Sequence, residues 1–187
     1  MTRRPVPTTP TWNVLVTSLE GQRESLLRAL REFARFRRGG FPNVLVATVE
    51  QPREFIAGLG AACDTSPILR TSIGKAVPID HTLRFASPET FRDEVAAALE
   101  PMADRLRGRT FYVRIFRRGF RGLIDSTRFE GELGAHLVAA LQARGEHPKV
   151  RFADADVAVV IETLHDEVGI AFVDRELREA YPFARVR

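Results

Sequence analysis

With 187 residues, 44% hydrophobic and 28% charged, the chain has enough apolar mass for one elongated domain or two small ones sharing an interface, and its balance excludes a disordered chain. The single cysteine, Cys63, excludes an internal disulfide and a cysteine-built zinc site, and no apolar run reaches the roughly 20 residues of a membrane span. A net charge of +4 favours an acidic partner such as nucleic acid.

Residues 2–11 hold three prolines and four threonines with little to bury, which reads as a mobile tail over 1–11. Residues 12–19 predict an apolar strand with a turn at Glu20-Gly21, and Leu26, Leu27, Leu30, Phe33 and Ala34 then recur at helical spacing. Gly39-Gly40 breaks that pattern, residues 41–49 predict a second strand, and Pro52 opens a helix to about Cys63, because a first helical residue needs no N–H. Residues 68–85 read as one long extended segment. Its second part sets Val77, Ile79, Leu83 and Phe85 against Pro78, Asp80, Thr82 and Arg84. A boundary inside this segment divides the chain into an N-terminal domain over 12–80 and a second over 81–187.

Ser87-Pro88-Glu89 supplies a side-chain cap, a first-turn proline and an acid at the positive end of the dipole, so it predicts a helix start. That helix runs to about Arg107, bent or split at Pro101. Residues 110–116 predict a strand and 117–126 a loop. Thr127 and Glu130 form a capping box for a helix to Arg144, closed by Gly145. Strands over 157–163 and 169–173 follow, joined at His165-Asp166-Glu167, and a short helix stops at Pro182. The order β-α-β-α-β, then α-α-β-α-β-β, predicts an α+β protein made of two layered (α/β) halves.

The first 80 residues carry 11 Lys+Arg against 7 Asp+Glu, while residues 81–187 carry 17 against 17. Within the second half the charges segregate along the chain. Arg105, Arg107, Arg109, Arg114, Arg117, Arg118 and Arg121 crowd one stretch, and Asp154, Asp156, Glu162, Asp166 and Glu167 another, so one face can be basic in a neutral half. Of the 28 cations only Lys75 and Lys149 are lysine, and arginine suits bidentate phosphate contacts and stacking on bases. In residues 111–122, FYVRIFRRGFRG, alternation sends Phe111, Val113 and Ile115 to one face and Tyr112, Arg114 and Phe116 to the other. Arg117, Arg118 and Arg121 then enter a glycine-containing loop ahead of a helix. Such a loop can offer cations and backbone N–H groups to phosphates, with Phe120 placed to stack on an unpaired base; a solvated arginine-rich strand end is the alternative.

Phe111, Val113, Arg114, the arginine-rich loop, Glu130, Leu133, Gly134, Val150, Asp156, Glu162 and Gly169, in that order, resemble the pattern of THUMP domains over roughly residues 85–173. Ala155 departs from the proline that the family carries before the acid. Residues 12–16 and 41–46 resemble the paired strands of the N-terminal ferredoxin-like domain that accompanies THUMP domains. The resemblance implies an RNA platform that grips the acceptor end of tRNA, with no DNA partner expected, and the lack of a long apolar run or an apolar leader reads as a cytosolic protein with no membrane partner. By analogy Arg70, Lys75 and Arg84 of the linking segment join Arg114, Arg117, Arg118, Phe120 and Arg121 as RNA contacts. About fourteen residues follow the THUMP-like part, too few for a catalytic domain. The expectation is therefore a stand-alone, non-catalytic member, similar to the adaptor for tRNA cytidine acetylation, that presents tRNA to a separate modifying enzyme.

Enzyme readings are weaker on the residues themselves. Cys63 ends an apolar helical stripe and reads as a structural thiol. Asp80 and His81, adjacent on a strand, point to opposite faces and cannot share one proton. His136 lies on the stripe of Phe129, Leu133, Leu137 and Ala140 and reads as half-buried, while alternation separates Asp154, Asp156 and Glu162, which argues against a metal. No nucleotide-cradling or nucleophile motif is present in the sequence, so no cofactor is expected. A minimal RNA-modifying enzyme and a basic module that meets an acidic protein are the alternatives to an RNA-binding adaptor.

Overall fold

The computed structural model describes residues 12–186, so the expected tail over 1–11 lies outside the described residues. The first sheet contains β1 (Val14–Ser18), β2 (Arg37–Arg38), β3 (Val44–Ala47) and β4 (Ile73–Pro78), with α1 (Arg23–Leu30), α2 (Pro52–Thr65) and α3 (Pro67–Ser72) between them. Its order is β2-β3-β1-β4, and every pair is antiparallel. This is the β-α-β-β-α-β arrangement called ferredoxin-like, with α3 added before its last strand. The second sheet contains β5 (His81–Arg84), β6 (Thr110–Phe116), β7 (Lys149–Val150), β8 (Val157–Leu164) and β9 (Glu167–Asp174), in the order β5-β9-β8-β6-β7. Strand β6 runs parallel to both neighbours, and the other pairs are antiparallel. Helices α4 (Phe91–Leu99) and α5 (Ser126–Gln142) cover this sheet, and α6 (Arg175–Ala180) follows it.

Alternation along the strands sets the layering. Val14, Val16, Leu45 and Ala47 face Leu26, Leu30, Ile56 and Leu59 of the first helices. Their strand neighbours Leu15, Val44 and Val46, with Val77 and Ile79, face Ala158, Val160, Ala171 and Val173 across the gap between the sheets. On the far side of the second sheet Phe111, Val113, Val159 and Ile170 pack on Val95, Leu99, Leu133 and Leu137. The protein is thus an α+β stack of helices, sheet, sheet and helices. Strand β8 is buried at every residue, as a strand covered on both faces must be. Its sequence VAVVIETL meets that demand except at Glu162 and Thr163.

Several local expectations are corrected. Residues 68–72 are helical, because Ser66 accepts a hydrogen bond from Leu69 N and Pro67 opens α3, and the extended chain begins only at Ile73. Ser87 closes a turn onto the N–H groups of Thr90 and Phe91, so α4 starts one turn later than Ser87-Pro88 implies. The helix changes at Glu100 into a 3-10 segment, Glu100–Leu106, at the proline expected to split it. Asp125, rather than Thr127, caps α5. Glu130 turns away from the helix end to accept the Ile115 N–H, a donor on the side of β6 beyond the two-residue β7. The short strands β2 and β7 are too brief to leave a period in the sequence. Phe183 and Ala184, grouped by sequence with the second half, bury instead in the helical layer of the first.

The start of β6 is tied by Asp156, whose carboxylate accepts the Thr110 N–H at 2.8 Å and its hydroxyl at 2.7 Å. These bonds hold the Asp156 carboxyl below its ordinary range, the backbone donor contributing most. A depressed folded-state value means stability that is present above the unfolded value, near 3.9, and lost as pH falls through the folded one. An Asp156→Asn variant is therefore expected to be less stable than wild type at neutral pH, with the gap narrowing as pH falls below about 4, as measured by urea titrations across that range.

Candidate nucleic-acid interface

The two sheets end together. Strands β1, β5, β6 and β8 finish where β3, β4 and β9 begin, as the pairs Ser18 with Ile73, Arg84 with Glu167, and Phe116 with Glu162 require. Contacts across the gap fix this end: Lys75 reaches Glu162, and the Phe41 ring lies 4.4 Å from His165. Every cation predicted to contact RNA, apart from mid-strand Arg114, is therefore carried to one end of the stack. The chain order could not reveal this for Arg70, Lys75 and Arg84, which come from α3, β4 and β5.

Their roles differ. Glu162, fully buried, pairs with Lys75 Nζ at 2.5 Å and with Arg118, which keep only 13% and 18% side-chain exposure. The Lys75 ammonium also sits 3.2 Å from the centre of the Phe116 ring. Burial depresses its pKa, and Glu162 opposes that. Lys75 and Arg118 are thus corrected from open phosphate contacts to buried partners of one carboxylate. Arg84 bonds Asp166 at 2.7 Å and also Glu167, and Arg114 lies 3.6 Å from Glu130 while keeping 45% side-chain exposure. The segregation of charge expected from the chain fails here because parallel pairing of β6 with β8 sets Glu162 beside the arginine stretch.

Phe120 is corrected as well. It packs edge-on against Phe85 at 5.4 Å, held at φ +48°, so its partly buried ring leans on the core rather than standing free in the loop. Gly119, at φ +92°, lets the loop press on the β8–β9 turn, where an added Cβ would stand 3.2 Å from His165 Cα. Arg117 bonds the Gly119 carbonyl at 2.6 Å, which bends its side chain along the loop, and Arg121 is exposed at the tip. Among the described residues no carboxylate lies within ion-pair distance of Arg70, Arg117 or Arg121. The N-terminus of α5 is closed by the Asp125 side chain, so the loop's cations rather than the helix end face solvent.

Two cavities lie beside the start of β4. Arg70, Cys63, Tyr181 and Phe183 line a cavity of about 540 Å³, and Lys75, Phe116 and Arg185 line one of about 300 Å³. Gly74 and Pro182 line both. Arg185 was missed by sequence reading, having no pattern around it. Cys63 is half-buried, and burial pushes its thiol pKa up, the opposite of an activated nucleophile. Among the described residues no group of three or more His, Cys, Asp or Glu is placed to hold a metal, and no helix is long and apolar enough to cross a membrane.

No protein-family model and no curated protein matches the sequence. Solved structures do match the fold. PH1313 from Pyrococcus horikoshii Ot3 is 18% identical with a TM-score of 0.55, over 85% of this chain and 53% of that one. TrmN from Thermus thermophilus is 20% identical with a TM-score of 0.58, over 85% and 44%. A 4-thiouridine synthetase, solved as an RNA complex with bound ATP, is 14% identical with a TM-score of 0.53, over 86% and 41%. The chain therefore spans about half the length of these proteins or less, and the matches support the THUMP-like, layered α+β fold that the resemblance implies.

Proposed function

We propose that this chain binds RNA, with the acceptor end of tRNA as its ligand, and presents it to a separate modifying enzyme such as a cytidine acetyltransferase without catalysing the reaction itself. The observation that carries the RNA reading is the gathering of Arg70, Arg117 and Arg121, none with an ion-pair partner among the described residues, at the end where both sheets stop. The buried Lys75–Glu162–Arg118 group holds the two halves in register beneath them. The solved RNA complex of the 4-thiouridine synthetase, a protein of the same fold, supports this reading, and the adaptor role rests on the resemblance to stand-alone members.

Arg117→Glu with Arg121→Glu tests it, since both side chains leave the core untouched. The double variant is expected to melt as wild type does, to bind total tRNA at least about tenfold more weakly in a gel-shift titration, and to show a salt slope shallower by about 1.4, two phosphate contacts at about 0.7 each. Unchanged affinity for tRNA would remove this site from the protein.

A further inference from the structure

We propose that the side of β6 turned toward the first sheet carries a track for single-stranded RNA, made by Phe152, Tyr112, Arg114 and Phe116; the proposal rests on the RNA-binding reading above. Strand β4 is the edge of the first sheet, and its Lys75 reaches Glu162 on β8 and the ring of Phe116. Strand β6 lies one place further out in the second sheet, and its Tyr112 and Phe116 form the partly open rim of the inter-sheet core. Arg114 there keeps 45% of its side-chain exposure, and Tyr112 and Phe116 are half-buried. Alternate residues of a strand stand about 6.6 Å apart, so Tyr112, Arg114 and Phe116 present ring, cation and ring over about 13 Å.

Phe152 extends this row. The residue is 78% exposed, the most of the exposed large hydrophobics among the described residues, and its ring lies 6.3 Å from the Tyr112 ring. Arg178 and Arg114 both lie near enough to act on the Tyr112 hydroxyl. Lys149 and Arg151 flank the approach to Phe152, both exposed and without an ion-pair partner among the described residues. At the other end of the row Lys75 and Arg185 line the cavity beside Phe116.

Rings interleaved with guanidinium groups are the arrangement that holds an unpaired strand, because every base offers a π-face and the cations follow the phosphates. A duplex hides those faces in its own stack, so the rings give it nothing. A second copy of this chain is a poor occupant of the same edge. Antiparallel pairing of two β7 strands about Val150 would set Lys149 of each copy against Arg151 of the other, and like charges directly opposite repel.

The test compares a labelled oligouridylate of about ten nucleotides with a blunt RNA duplex of equal length by fluorescence anisotropy, using Phe152→Ala alone and combined with Tyr112→Leu. The exposed position of Phe152 keeps the single variant folded even where Tyr112→Leu disturbs packing. At least a fivefold loss of affinity for the oligouridylate is expected, with duplex binding changed less than about twofold. No loss, or an equal loss on both ligands, overturns the track. The Arg117→Glu, Arg121→Glu protein separates the two readings. If it weakens both ligands while Phe152→Ala weakens neither, the track alone fails; if the wild-type protein binds neither ligand, the RNA reading fails and the track with it.

Discussion

Glu162→Ala is expected to lower the free energy of unfolding by about 3–5 kcal/mol, and so to lower the melting temperature by on the order of 10 °C. The magnitude follows from what the carboxylate leaves behind. Glu162 is fully buried on a strand covered on both faces, and Lys75 and Arg118 are both bonded to it in the same interior. Exposed ion pairs contribute under about 1 kcal/mol because water screens them and solvates each partner when the other is lost. Here both cations keep less than a fifth of their side-chain exposure, so neither regains full hydration when the carboxylate is lost. A buried cation left unpaired costs far more than the pair itself contributes. Replacing all three together, as Glu162→Leu, Lys75→Met and Arg118→Met, is therefore expected to recover most of the loss in a denaturant titration. A single Glu162→Ala variant within about 1 kcal/mol of wild type would show that water already reaches the group.

The same group explains how far the sequence could be read. The layered α+β class, the helix over Pro52–Thr65, strand β6 and the pair β8 and β9 were all legible, because each rests on a local period of apolar residues or on a proline or glycine at its end. The helix α3 carried its own Ser-Pro start at Ser66-Pro67, the signal read as a helix start at Ser87 where the chain instead forms a turn, but the apolar alternation after it masked the change. The site was legible as a list and not as a geometry. Arg117 and Arg121 stand where an arginine-rich loop should put them. Lys75, Arg118 and Phe120 were misjudged because their fates depend on Glu162 and Phe85, 87, 44 and 35 positions away in the chain, and no local pattern encodes such pairings. Arg185 and Phe152 gave no signal beyond being a cation and an aromatic in unpatterned segments.

The division of the chain into halves leads to the second large effect, Trp12→Ala, expected to cost about 3–5 kcal/mol. Trp12 is 2% exposed, and its indole packs among Leu15, Val46, Val160 and Val173 from both sheets while donating to Glu167 at 2.8 Å. Truncation opens a void that neither sheet can close alone, since each is braced on its other face by helices. The fit is tight enough to test from the opposite side. A Cβ on Gly169 would stand 2.5 Å from Trp12 Cη2 and 3.1 Å from Ile79 Cδ1, so Gly169→Ala is expected to destabilise by about 1–3 kcal/mol in the wild-type protein. In a Trp12→Leu background, where the ring is gone, the same change should cost far less, and that non-additivity marks a direct contact. Because this core belongs to both sheets, amide signals from β3 and from β9 should vanish at one denaturant concentration in all these variants. Separate midpoints for the two strands would mean that the halves fold independently and that the inter-sheet core contributes little.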